Sequence, residues 1–318
     1  MYVSEVENQN LPDTPLFTGL TRKLLEGYFK LYGTQHFKVF TLHHSDRTCI
    51  GYFYFYTYTR LGFRFTITPP GLPNIGLVFI NGAQKNQTRI GQEKDMLQLL
   101  ADNLWLKKSH YVELVLPETF QQMQTLIWSG YLVEPRYTYH LNLNGTQESI
   151  LTAMSSELRR SIQNFDAAPF EIKRNEVSSN INSLINRYYR NKKIALSSNI
   201  SLKLMELYQS QNQALFFTVY KNKVPVAFTF FKVHPDRLQY LFGAHEPHLP
   251  SGLNSWLFWL AIQEAKNLQL QLLDFEGSMI PEVERFYRKF GGDLKVLYSI
   301  KRNTFLIKWY FWLKAKIT

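Results

Sequence analysis

Residues 272–292, LLDFEGSMIPEVERFYRKFGG, change period in mid-run. Leu272, Leu273 and Phe275 read as a short buried strand ending in acids. Val283, Phe286, Tyr287 and Phe290 instead recur at three- and four-residue spacing, as on one face of a helix. Pro281 suits a first helical turn, and Gly291-Gly292 supplies the permissive backbone that ends one. An apolar run over 294–300 then reads as a returning strand. The junction Glu276-Gly277-Ser278 therefore falls at the carboxyl end of a strand, where open sheets bind ligands.

A chain of 318 residues, 45% hydrophobic and 15% aromatic, can bury more than one core, and its length suggests two domains. Lys and Arg total 36 against 25 acids, a net charge of +11, which favours an anionic partner: a phosphorylated cofactor, tRNA or an acidic membrane surface. The single cysteine, Cys49, excludes an internal disulfide and a cysteine zinc cluster, and in its strand-like run it reads as a buried thiol. His43-His44 and the pair His245 and His248 lack a third ligand at zinc spacing, so no metal is assigned.

The start, MYVSEVENQN, has no apolar core of the kind a signal peptide needs, so a cytoplasmic protein is expected. No run of about eighteen uncharged apolar residues offers a spanning helix. The nearest approach is 304–313, rich in aromatics between lysines, in a stretch 294–318 with six bases and no acid. Such a tail fits peripheral contact with the inner face of the membrane. It fits equally a last strand or helix packed on the core with its lysines in water.

In chain order, 37–41 and 49–58 read as paired strands, and 62–68 as a third, closed by Pro69-Pro70-Gly71. A helical stretch over 92–106, a strand over 111–116, a helix over 118–128 and a strand over 131–143 follow. The second half repeats this order. Gly91 and Gly252, Glu113 and Asp274, and Gly130 and Gly291 are each 161 residues apart, whereas upstream Gly51 and Ala227 are 176 apart. The first copy thus carries 15 extra residues, which fall in the Pro-Gly-rich loop between 69 and 91. Between the copies, 146–211 is mostly helical in pattern, with bases at Arg159-Arg160 and again at Arg190, Lys192 and Lys193.

The stretch YTYHLNLNGTQESILTAMSSELRRSI, 137–162, joins a strand to a helix ending in R-x-x-I and resembles the linker of Fem-type, GNAT-like acyltransferases. WLFWLAIQEAKNLQLQLLDFEGS, 256–278, is similar to the helix and strand that precede their active region, and ERFYRKFGG resembles the aromatic-Tyr-x-Lys-x-Gly signature of GNAT acetyltransferases. Two features depart from the pattern: the cofactor signature R/Q-x-x-G-x-G/A is missing, and the Asn seven residues before the Tyr is Ile280.

The resemblance implies an α/β (α+β) protein of two tandem GNAT-like domains, each a mixed, largely antiparallel sheet flanked by helices. It divides into 1–145, degenerate or substrate-positioning; a helical linker and start of the second domain, 146–212; and a catalytic domain, 213–318. The implied reaction moves an acyl or aminoacyl group from coenzyme A, an acyl carrier or aminoacyl-tRNA to an amine. A non-catalytic RNA or tRNA binder on a decayed transferase scaffold is the rival expectation, motivated by the charge and the missing signature.

Asp274 and Glu276 are two apart on a strand and share a face, and a carboxyl at a partly buried strand end can have a raised pKa suited to base work. An exposed strand end or a helix-capping carboxylate is the plainer alternative for each. Glu276, nearer the opening, is the preferred base. Tyr287 matches the residue that protonates the departing thiolate in GNAT enzymes; by period alone it is a core aromatic. Leu126 stands at its place in the first copy. Donor phosphates are expected at the helix entry Ser251, Gly252, Leu253, Asn254 and Ser255, with Ser251 as N-cap, and at Arg288. An ordinary cap is the alternative there. Arg159, Arg160, Phe275 and Ser278 are the expected substrate contacts, although bases beside a helix are usually solvated surface.

Overall fold

The computed structural model describes residues 1–7, 10–176, 180–192, 194, 196–250, 252–277, 279–305 and 307. Ser251, Ser278, Lys193 and nearly all of the basic aromatic tail lie outside the described residues. Two compact units form: Met1–Arg136 with the chain from Val296 onward, and Tyr137–Lys295.

The first copy runs through β1 (Tyr2–Glu5), α1 (Gly19–Tyr32), β2 (Phe37–His43), β3 (Cys49–Arg60), β4 (Phe63–Ile67), β5 (Val78–Phe79), α2 (Asn86–Asp102), α3 (Leu104–Lys108), β6 (Tyr111–Val115), α4 (Gln124–Trp128) and β7 (Leu132–Asn142). The linker supplies α5 (Gln147–Ala153), α6 (Ser156–Gln163), β8 (Glu171–Arg174), α7 (Ile181–Lys192) and α8 (Ser198–Ser210). The second copy then runs β9 (Ala214–Lys221), β10 (Val224–Val233), β11 (Arg237–His245), α9 (Leu253–Asn267), β12 (Leu272–Asp274), α10 (Pro281–Arg288) and β13 (Asp293–Asn303). The 161-residue shift carries β7 onto β13 residue for residue.

In the first unit β1, β2, β3 and β4 pair antiparallel in order, and β4 pairs parallel with β6. In the second, β8, β9, β10 and β11 pair antiparallel, and β11 pairs parallel with β12. One parallel pair in an otherwise antiparallel sheet is the mixed sheet expected. The last strand of each copy, however, completes the other unit. Ser299–Asn303 of β13 pair with β6, and Asn142, Leu141 and His140 of β7 pair with β12. Chain-order boundaries such as 1–145 and 213–318 do not follow this exchange.

Alternation builds the cores. On β3, Phe53 and Phe55 face α2 and join Met96, Leu97, Leu100, Leu114, Leu126 and Ile300 in one core cluster. Tyr28 of α1 instead meets Tyr54, on the other face of β3, at 5.9 Å between ring centroids. The second unit's core gathers Tyr139, Leu141, Leu238, Leu273 and Phe275 of the sheet with Leu257, Phe258 and Ile262 of α9 and Tyr287 and Phe290 at α10. The single helix expected over 92–106 is two, because the Asn103 side chain accepts from the Trp105 and Leu106 N–H groups and caps α3. Cys49 is half-buried rather than buried, its thiol 3.6 Å from the Gly51 carbonyl oxygen.

α10 has the ends its sequence foretells: Pro281 opens it, Glu282 and Glu284 sit in its first turn, and Arg285 and Arg288 in its last. Gly291, at φ +80°, lies so close to α5 that a Cβ would come within 2.7 Å of the Ala153 carbonyl oxygen. A Cβ on Gly292 would come within 2.8 Å of the His140 carbonyl oxygen. The two glycines seat the end of α10 against α5 and β7.

Candidate functional site

β11 and β12 run together for only three pairs, Arg237 to Gln239 beside Leu272 to Asp274, and β11 then continues to His245. A bulge accompanies the parting: Phe230 pairs with Phe242 but Phe231 with Tyr240, leaving Leu241 extra on β11. Bulges of this kind bend a strand and re-aim its side chains. After Asp274 the chain turns at Glu276, a non-glycine residue at φ +61°. Beyond it, a Cβ added at Gly277 would meet open space.

The parting strands place a polar row on the sheet face opposite the core. Lys232, Gln239, Asp274 and His140 are direct neighbours across four strands. The buried Asp274 carboxylate accepts from Thr138 Oγ1 at 2.8 Å, from Gln239 Nε2 at 3.1 Å and from the Glu276 N–H at 2.9 Å. His140 Nε2 lies 3.6 Å away. Burial alone would raise this carboxyl, but His140, the Glu276 N–H and Thr138 outweigh it and hold it below its ordinary value. The raised carboxyl expected of an acid at this strand end is therefore not found at Asp274, which already accepts three hydrogen bonds.

A carboxylate only accepts, so the Gln239 NH2 group faces Asp274 and its Oε1 faces His234 Nε2 at 3.1 Å. His234 must therefore carry its proton on Nε2. Burial, then the neighbouring Lys232, lowers this imidazole to about 4, so it is neutral at physiological pH. Burial likewise brings the Lys232 amine down to about 8.

On the core side, Tyr287 is buried against Phe275, with ring centroids 4.9 Å apart, and packs on Tyr240 and Phe258. Burial pushes its phenol far up, and the charge of Glu276, then of Tyr188 and Asp274, pushes it further. Tyr287 thus holds its proton at neutral pH within the field of the Glu276 carboxylate. That carboxylate accepts the Gly277 N–H at 2.7 Å.

Residues 153–286 match the family model described as the acetyltransferase (GNAT) domain. The chain carries a GNAT domain. No curated protein matches it in sequence. Among solved structures it is similar to FemX, at 11% identity and TM-score 0.62 over 98% of this chain and 99% of that one. It is also similar to a tandem GNAT protein from the clavulanic acid biosynthesis pathway, at 8% identity and TM-score 0.55 over 89% and 88%. A third likeness is the C-terminal domain of a putative lysylphosphatidylglycerol synthetase from Agrobacterium fabrum, at 9% identity and TM-score 0.52 over 83% and 84%. Likeness at such identities establishes a shared fold.

The sequence-predicted residues separate. Glu276, Asp274 and Tyr287 come together around the turn after β12. Phe275 is fully buried and forms the wall on which Tyr287 leans, so it packs the core instead of meeting a substrate. Gly252, at φ +106°, opens α9, but a Cβ there would lie 2.9 Å from Ser161 Oγ; this glycine answers packing against α6. Leu253 and Ser255 are buried and Asn254 is exposed. Arg159 donates to the Thr152 carbonyl oxygen at 3.2 Å, and Arg160 is exposed. Arg288 pairs with Glu284 at 3.2 Å and faces an open groove of about 580 Å³ lined also by Ser155, Glu282, Arg285, Phe286 and Lys289.

Sequence reasoning missed Thr138, His140, Gln239 and Tyr188. The alternation of Thr138 and His140 along β7 places both on one face, but their approach to Asp274 depends on a pairing between strands more than 130 residues apart. Tyr188 stands on α7, its ring 5.0 Å from that of His245. Among the described residues no three His, Cys, Asp or Glu side chains gather as metal ligands, and no helix is long and apolar enough to cross a membrane.

Proposed function

We propose that this protein is an N-acyltransferase whose second copy is catalytic and whose first copy is degenerate or substrate-positioning. The observation that carries this reading is the pairing of two groups in the second copy. In the second copy the turn after β12 brings the Glu276 carboxylate into the field of the protonated Tyr287 phenol, beside a strand edge that β12 leaves after three residues.

The chemistry follows from these two groups. An acceptor ammonium loses a proton to Glu276, directly or through water, and the freed nitrogen pair attacks the acyl carbonyl. The bond from the acyl carbon to the leaving sulfur or oxygen breaks, the leaving atom takes the Tyr287 proton, and the new amide nitrogen gives up its second proton, which returns to the Tyr287 phenolate through water. The free edge of β11 beyond Gln239 offers backbone N–H groups for the carbonyl oxygen as charge develops there. The first-turn amides of α9 at Asn254 and Ser255 are the candidate hold for the phosphates of a coenzyme A or acyl-carrier donor, since α9 has no side-chain cap. Aminoacyl-tRNA is the third donor the reading admits, with Arg159 and Arg160 toward its backbone. Such donors place the protein in the cytoplasm, with peripheral membrane contact assigned to the tail.

The experiment is a screen of thermal stability and product mass with acetyl- and longer acyl-coenzyme A, acylated carrier protein and charged tRNA, against a panel of amines. A donor that raises Tm and yields an amide product is the expected result. Salt-sensitive RNA binding with no protection or product from any donor would replace this reading with that of an RNA binder.

A further inference from the structure

We propose that Asp274 is a positioning residue for Glu276: by accepting the Glu276 N–H it fixes the left-handed turn that aims that side chain, and Gln239 and His140 hold it in place. This rests on the reading of Glu276 as the base. The left-handed region is costly for a residue with a long side chain and persists only where its surroundings over-determine it. Here the fixing contact is the 2.9 Å bond from the Glu276 N–H to Asp274 Oδ1. Oδ1 also accepts from Thr138, Oδ2 takes the Gln239 amide, and His140 lies against the same carboxylate. The titratable groups around Asp274 are thus His140 on β7, His234 reached through Gln239, Glu276 on the turn and Tyr287 on α10, whose phenol feels the Asp274 charge. Every contact stabilises the charged form, which explains an ionised carboxylate buried this deeply.

The row also predicts which replacement it tolerates. In Asp274→Asn the side-chain oxygen still accepts from Thr138 and the Glu276 N–H. Its NH2 group meets Gln239, whose amide turns over to offer oxygen. The Gln239 NH2 group then faces His234, and a neutral imidazole moves its proton to Nδ1 and accepts on Nε2. Asp274→Ala has no such reversal.

The test compares the two variants in the full chain by kcat, pH profile and amide hydrogen exchange at Glu276, with Tm confirming folding. Asp274→Ala should lower kcat about 100-fold, the scale of a misplaced reacting group, and should speed exchange at the Glu276 amide. Asp274→Asn should stay within about tenfold of the parent, the difference between a charged and a neutral hydrogen bond, with Glu276 still protected and the acid limb of the profile unmoved. A folded Asp274→Asn as inactive as Asp274→Ala would overturn the proposal, since Asp274 would then take the proton itself. Unchanged exchange at Glu276 in Asp274→Ala would overturn it equally. The exchange arm needs no substrate, so the positioning role can fail or stand separately from the acyl-transfer reading.

Discussion

At the same place in the two copies, the same scaffold is closed once and open once. In the first copy β4 ends at Ile67, and the extra residues of the Pro-Gly-rich loop fold down where it would have continued. The Ile75 N–H donates to the Val115 carbonyl oxygen, the Tyr54 N–H donates to Ile75, and the Val115 N–H donates to Thr68 Oγ1. Leu72, Ile75 and Leu77 are buried there, and Val115 and Leu126 stand at the places of Glu276 and Tyr287. The counterpart of Asp274 is Glu113, which accepts from the Tyr111 hydroxyl and pairs with Lys301 at 3.3 Å in an ordinary half-exposed cluster. A strand edge must be covered or used. One copy covers its edge with its own insertion, whereas in the other β12 leaves β11 after three pairs.

The largest expected effect separates the copies by activity. Glu276→Gln and Tyr287→Phe should each lower acyl transfer about 100-fold or more, with Tm little changed. Parental turnover in both would end the assignment of the open copy as catalytic. Leu126→Ala and Ile75→Ala, in the closed copy, should each cost about 2–5 kcal/mol by denaturant unfolding while the folded fraction keeps its turnover. A loss of kcat in folded Ile75→Ala would give the closed copy a part in the chemistry.

The strand exchange makes its own demand. Ile300 is fully buried in the first unit's core although it belongs to the last strand of the second copy. Ile300→Ala should cost about 2–5 kcal/mol, and hydrogen exchange should rise at 111–115 rather than in β11. The smallest effect concerns pH. His234 is lowered from 6.5 to about 4, so below pH 6.5 the unfolded chain takes up a proton that the folded protein refuses. Stability should therefore fall by roughly 2 kcal/mol as pH drops from 6.5 toward 4, and His234→Gln should flatten that slope in urea melts.

Local signals made much of this legible. The period change at 272–292 located β12, the turn and α10, and the loop inserted in the first copy was visible as a change of spacing. At the site, Glu276 could be named from the strand-to-helix junction, and Tyr287 from the resemblance of ERFYRKFGG to the GNAT signature. Asp274 was expected to carry a raised pKa, yet its carboxyl is held down by His140 and Thr138, which are distant in sequence, and by the Glu276 N–H. Phe275 and Gly252 were given to ligands, yet neighbouring side chains claim the space around them.

By itself the sequence determined most of the strands and helices from residue 37 onward and their order, since helix and strand periods and helix-ending glycines act over a few residues. Only the tertiary structure decided that β7 and β13 change places, that the insertion covers one strand edge, and that a carboxylate is buried among hydrogen-bond donors. Those outcomes turn on which strand edge finds which partner. Hydrogen bonding and burial settle that between segments whose separation along the chain carries no signal.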